Sequence, residues 1–249
     1  MTQTTGTTSF PIPGRGCWTC TGGLLPATLG GTGAGFYRLN AAGESPIGAA
    51  YATGTDTGHD AWVVFLAVTA IQSLIGLGGG DLDGWFGART SEATRLAQRS
   101  WKVEADGLVG RLTMRAALST PIMSVAAATT VPAHLLGGLA VTESGLDPAA
   151  VGANGVDHGL VQINLSAHGE VSVVQAMDPL FSLTFAAKDL ARVHRTWVGR
   201  TSADPWDVAI ANHNSPALAR RWAESGVAPF VPGRLFQIQD YVTRVKNAW

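Results

Sequence analysis

Charge is what this 249-residue chain has least of. Only 14% of its residues are charged, and the formal net charge is −1; an ordinary soluble domain carries about a quarter charged residues. Disorder held open by charge repulsion is excluded. Nucleic acid is excluded as the main partner, because 17 basic against 18 acidic residues leave no excess to neutralise phosphates. Lysine is scarcer still, with only Lys102, Lys188 and Lys246, a usage expected of a GC-rich genome. Cys17 and Cys20 are too few for a disulfide-built scaffold. Their C-x-x-C spacing lacks the βαβ surroundings of a redox centre, so a local disulfide or a pair of buried thiols is expected. The 6 histidines show no zinc-binding spacing, and neither metal nor organic cofactor is expected. MTQTTGTTSF has neither the basic nor the apolar region of a secretory signal peptide. One uncharged run, Ala61 to Gly80, has the length of a membrane span. Gln72 and Ser73 interrupt it, and no basic cluster flanks it. A buried helix of a soluble domain is expected there, with no membrane partner.

What the chain does have is glycine, 31 in all, and a change of texture along its length. At roughly 100–200 residues per domain, the length allows one large domain or two small ones. Residues 1–55 carry only Arg15, Arg38 and Glu44 and are rich in Gly and Thr, with Pro11, Pro13, Pro26 and Pro46 as breakers. Loops and short strands are expected for residues 1–56. So little charge does not suit a solvated tail, so this segment is expected to pack on its own domains, another copy or an assembly.

From about Asp60, Trp62, Phe65, Leu66, Thr69 and Gln72 follow helical spacing, and Gly78 to Gly80 end the helix. Asp83-Gly84-Trp85-Phe86-Gly87-Ala88-Arg89-Thr90 comes next, and Asp106-Gly107-Leu108-Val109-Gly110-Arg111-Leu112-Thr113 is a second copy. The shared form is D-G-x-x-G-x-x-T, each copy preceded by a helix bearing a glutamine, Gln72 or Gln98. Glycine supplies the tight turns, aspartate their amide acceptors, and threonine is expected to cap the next helix. The doubled motif resembles the three-helix peptidoglycan-binding domain of bacterial and phage wall enzymes, over residues 57–119. The resemblance implies a shallow groove beside loops carrying Asp83, Trp85 and Asp106, with most of the Asp and Gly residues themselves only building turns.

Residues 120–130 lie in STPIMSVAAATTVP, uncharged between two prolines, and read as a linker. Beyond them the pattern is helical to Trp249. Leu135, Leu136, Leu139 and Ala140 share one face; Leu183, Ala186, Ala187, Leu190 and Val193 share another. Val208, Ala209 and Ala211 begin a third helix, and Tyr241, Val242 and Val245 suit a closing one.

Glu143 ends the first of these helices, before Ser144-Gly145-Leu146-Asp147-Pro148. A carboxyl there can be half-buried, and desolvation keeps such a group protonated near neutral pH. Glycosidic cleavage needs that kind of general acid. E-S-x-x-x-P, then N-G-x-D-x-G-L-x-Q-I-N from Asn154 to Asn164, then Ala209-Ile210-Ala211-Asn212-His213-Asn214-Ser215, resemble the core of the lysozyme-like superfamily. Soluble lytic transglycosylases and related phage lysins are most similar, over residues 131–249. The resemblance implies Glu143 as catalytic acid and Ser144, His158, Gln162, Asn164, His213 and Asn214 at the substrate. His213 stands where the family usually has Tyr, and Pro216 where it often has Gly. Asp157 matches the second carboxylate of animal lysozymes, and a supporting role is expected for it.

The expected fold is mainly α: a three-helix peptidoglycan-binding domain, then a lysozyme-like α domain with a short β-hairpin, preceded by the Gly/Thr-rich segment. The resemblances imply a modular phage or bacterial lysin. Its partner would be bacterial peptidoglycan, with virion proteins at residues 1–55 as an alternative. It would act from the host cytoplasm on release to the wall, or from a phage virion.

Overall fold

The computed structural model describes residues 8–12, 16–20, 66, 68–82, 84, 86, 88–153, 155–233 and 237–249, with backbone alone at 8–12, 16–20 and 88. The described residues are mainly helical. Two compact units are present: Met1–Leu118 with Asp147–Ala149, and Ser119–Leu146 with Ala150–Trp249. No helix among the described residues is long and apolar enough to cross a membrane.

In the first unit, β1 (Thr8–Ile12) pairs antiparallel with β2 (Gly16–Cys20), Phe10 opposite Trp18. Residues 68–74 are helical, and α1 spans Ala88–Trp101. The two copies of the repeat form the same hydrogen-bond circuit. Gln72 Oε1 accepts from Gly84 N–H at 3.0 Å, and its Nε2 donates to Thr90 Oγ1 at 3.1 Å. Gln98 Oε1 accepts from Gly107 N–H at 2.9 Å, and its Nε2 donates to Thr113 Oγ1 at 3.0 Å. Both glutamines are buried, so the buried turn amides keep acceptors that water cannot supply.

Asp106 Oδ1 accepts from Leu108 N–H at 2.8 Å, the turn role expected of it. The threonines do not cap. Thr113 sits inside α2 (Arg111–Thr129), buried, and its hydroxyl donates to Leu108 O and accepts from Gln98. The glutamine has taken the oxygen that a cap would have used. The uncharged stretch read as a linker is helical as far as Thr129, with Pro121 inside α2. Burial of Ile122, Val125 and Ala126 accounts for the helix continuing past the proline.

The second unit is built from α3 (Ala133–Ser144), α4 (Val173–Met177), α5 (Pro179–Trp197), α6 (Pro205–Asn214), α7 (Pro216–Ser225) and α8 (Ile238–Asn247). Between α3 and α4 lies a short hairpin, β3 (Asp157–His158) against β4 (Ile163–Asn164), with Asp157 opposite Asn164. Sequence sets the starts. Asp178 and Asp204 accept from backbone amides of α5 and α6, each with proline at the first helical position. Ser172 and Gln175 form a capping box on α4.

Helix α3 is buried from Leu135 through Ala140. It packs on α5 and α8, and α6 packs on α5, α7 and α8. A Cβ on Gly138 would fall 1.9 Å from Val245 O. The glycine therefore sets how closely α3 approaches α8.

Candidate functional site

Glu143 is the penultimate residue of α3, half-buried. The helix stops there because Gly145 turns left-handed at φ 66° and gives its N–H to Val141 O at 3.0 Å. Tyr241, in the first turn of α8, donates its phenol hydrogen to Glu143 Oε1. Burial first, and then the Glu143 charge, push the Tyr241 hydroxyl well above its ordinary value. It therefore remains a donor at any working pH, and it fixes one oxygen of the carboxyl.

The next residue ties this helix end to the hairpin. Ser144 Oγ donates to Leu160 O at 2.8 Å and contacts Ala140 O at 3.1 Å. Val161 N–H donates to Ser182 Oγ of α5 at 3.3 Å, and Val161 O accepts from His213 Nε2 of α6 at 2.8 Å. A carbonyl only accepts, so His213 carries its proton on Nε2. Gly159, at φ 78°, lets this turn approach α4: a Cβ there would fall 1.8 Å from Ala176 O. Gln162 is itself left-handed at φ 53°, and its amide donates to Gly159 O and Ala150 O at 2.9 and 3.1 Å. The turn 159–162 is thereby fastened to α3, α5 and α6.

Within the hairpin, Asn164 Nδ2 donates to Asp157 Oδ1 at 2.7 Å, while Asn164 Oδ1 accepts from Ala167 N–H at 2.9 Å. His158 is buried at 4% exposure and belongs to the frame of the hairpin. Asn214 is exposed at the end of α6. Of the residues expected at the substrate, Ser144 and His213 thus join α3 and α6 to the hairpin turn, while Gln162 and Asn164 hold partners within the hairpin and the chain flanking it. Asp106 belongs to the first unit, and Asp83 and Trp85 lie outside the described residues. Among the described residues no cluster of three or more His, Cys, Asp or Glu could hold a metal ion.

Two participants escape sequence reasoning. Tyr241 reads only as one apolar position of a closing helix, since nothing local marks its partner 98 residues away. Ser182 reads as an interior helical serine, yet it is fully buried and serves Val161. A hydroxyl within an otherwise apolar helical face is the one signal that could have found either.

Residues 120–227 match the model of the Transglycosylase SLT domain. No curated protein matches the chain. The matched segment includes Glu143, the hairpin and His213, while Tyr241 lies beyond its end. This part of the chain is a lysozyme-like, lytic transglycosylase-type glycosidase domain acting on peptidoglycan.

Proposed function

Taking residues 120–227 as that glycosidase domain, we propose that Glu143 is its acid and base, cleaving the β-1,4 bond between N-acetylmuramic acid and N-acetylglucosamine. The observation that carries this is the Tyr241 hydrogen bond onto Glu143 at the end of α3. It aims one carboxyl beside a braced hairpin turn. In the first half, Glu143 gives its proton to the glycosidic oxygen as the C1–O bond breaks. Positive charge develops on the muramoyl ring. In the second half, the substrate's C6 hydroxyl bonds to C1 and its proton passes to the Glu143 carboxylate, restoring the acid. The product is a 1,6-anhydro-muramoyl end. A tethered hydroxyl needs no positioned water, and its effective molarity can be very high. Asp157, held by Asn164, supports the cleft in this scheme.

The first unit, with its doubled Gln–Gly–Thr circuit, serves as the peptidoglycan-binding module. It raises the local concentration of the cleft at an insoluble polymer. Deployment as a phage endolysin fits this pairing. The nearly uncharged residues 1–55 favour a second deployment, as a virion-associated lysin docked through that segment. Glu143→Gln in the whole chain tests the assignment. Lysis of purified walls should fall at least about a thousandfold, while co-sedimentation with the same walls and the melting temperature are kept. A folded variant retaining most of the lytic rate would remove Glu143 from the chemistry.

A further inference from the structure

The end of α3 and the start of α8 meet where Glu143 stands. Tyr241 in the first turn of α8 touches it, and His213 near the end of α6 holds the hairpin turn tied to Ser144. The chain that leads from α7 into α8 therefore arrives at this same end of the unit. Its residues 226–233 read Gly-Val-Ala-Pro-Phe-Val-Pro-Gly, apolar up to Arg234. Gly226 gives its N–H to Trp222 O at 2.8 Å, closing α7. Val231 is clamped on both backbone groups by one side chain: its N–H donates to Gln237 Oε1 at 2.8 Å, and its carbonyl accepts from Gln237 Nε2 at 3.1 Å. Gln237 precedes Tyr241 by four residues, about one helical turn or 6 Å along the axis.

On this clamped segment, Val227 is 69% and Phe230 72% exposed. A single exposed apolar side chain calls for no explanation. Here two stand on one segment that prolines and a glutamine clamp hold in place, next to the helix turn that touches Glu143. Holding them there before binding removes part of the ordering cost of binding.

We propose that Phe230, with Val227 on the same segment, is a stacking contact for a sugar ring of the glycan strand, a few rings from the bond that is cut. A pyranose offers one face of C–H groups, which suits an aromatic ring. This inference rests on the reading of Glu143 given above, and it adds a binding contact remote from the reacting atoms. Such contacts hold the strand without touching the chemistry.

The test is steady-state release of muropeptides from purified peptidoglycan by the whole chain, with Phe230→Ala and Phe230→Trp compared. Phe230→Ala should raise the apparent KM about fivefold, the size of one aromatic contact, with kcat within about twofold. Phe230→Trp should restore the KM. The shift should vanish on a tetrasaccharide too short to reach the loop. An unchanged KM in a cleaving enzyme overturns the Phe230 contact alone. So does a loss of equal size on long and short substrates. So does binding to phosphatidylglycerol vesicles that Phe230→Ala abolishes while wall kinetics stay the same, since the loop would then serve a membrane. A wild-type chain that releases nothing overturns the reading of Glu143 and this contact with it.

Discussion

A phenol aimed at a carboxyl does two things at once: it orients the acid and it occupies an oxygen. Tyr241 is buried and stays protonated, so Tyr241→Phe removes the donor while keeping the packed ring. We expect kcat for wall cleavage to fall about ten- to a hundredfold, KM to change less than twofold, and stability to drop by about 1 kcal/mol. A variant with wild-type kcat would reduce Tyr241 to packing. Asp147 is a second titratable residue near the end of α3, with a different consequence. Burial pushes its carboxyl up from the ordinary value to about 6, only partly offset by the Ala149 N–H it accepts at 2.9 Å. Between about pH 4 and 6 the folded chain holds a proton that the unfolded chain has released. On this account stability is greatest below that window and is lost as pH rises through it. Asp147→Asn keeps an acceptor for Ala149 and removes the charge. It should melt with the wild type near pH 4 and be stabler by roughly 1–3 kcal/mol at pH 7. Thermal melts at the two pH values decide it. No difference at pH 7 would mean that the Asp147 carboxylate is not penalised in the folded state.

At the scale of elements, periodicity carried most of the legible information. Leu135, Leu136, Leu139 and Ala140 were readable as a buried face, and so were Leu183, Ala186, Ala187, Leu190 and Val193; all are buried. The reading stopped short where a fact depended on two distant pieces of chain. Gly137 and Gly138 are as buried as their leucine neighbours, because the Trp249 ring covers the first and Val245 of α8 the second. The helical continuation to Thr129 was hidden by Pro121, since propensity marks a break that burial of Ile122 and Val125 overrides. Glu143 was legible from its position before the Gly/Pro break, but its partner on α8 was not. The turn at 159–162 shows how tightly these elements depend on each other. Gly159→Ala places a Cβ 1.8 Å from Ala176 O at a φ of 78°. The turn and α4 must then part, at a cost of about 2–4 kcal/mol. Chemical denaturation should show that loss, and lytic activity should fall with it, because the same turn is joined to Ser144. A full-stability Gly159→Ala chain would mean that the turn yields without disturbing α4.

For the molecule as a whole, the question is which bond-making step follows protonation. On the proposal that Glu143 is the acid, both routes start from it, and Asp157 bears on them differently. Asp157 is opposite Asn164 in the hairpin and takes its amide hydrogen at 2.7 Å. A carboxylate so held is suited to steadying positive charge on the ring, and Glu143 is left as the proton carrier. We therefore expect 1,6-anhydro-muramoyl ends as the main product of wall digestion by the full chain. Mass spectrometry separates them from reducing ends, because the anhydro product is lighter by one water. Asp157→Asn should then lower the rate about ten- to a hundredfold and leave the product anhydro, since charge stabilisation is weakened but the intramolecular nucleophile is intact. If Asp157 instead positions a water or forms a covalent bond to the sugar, the wild type releases reducing ends and Asp157→Asn is inactive. Reducing ends as the sole product, together with that inactive variant, would make the enzyme a hydrolytic lysozyme on the same frame.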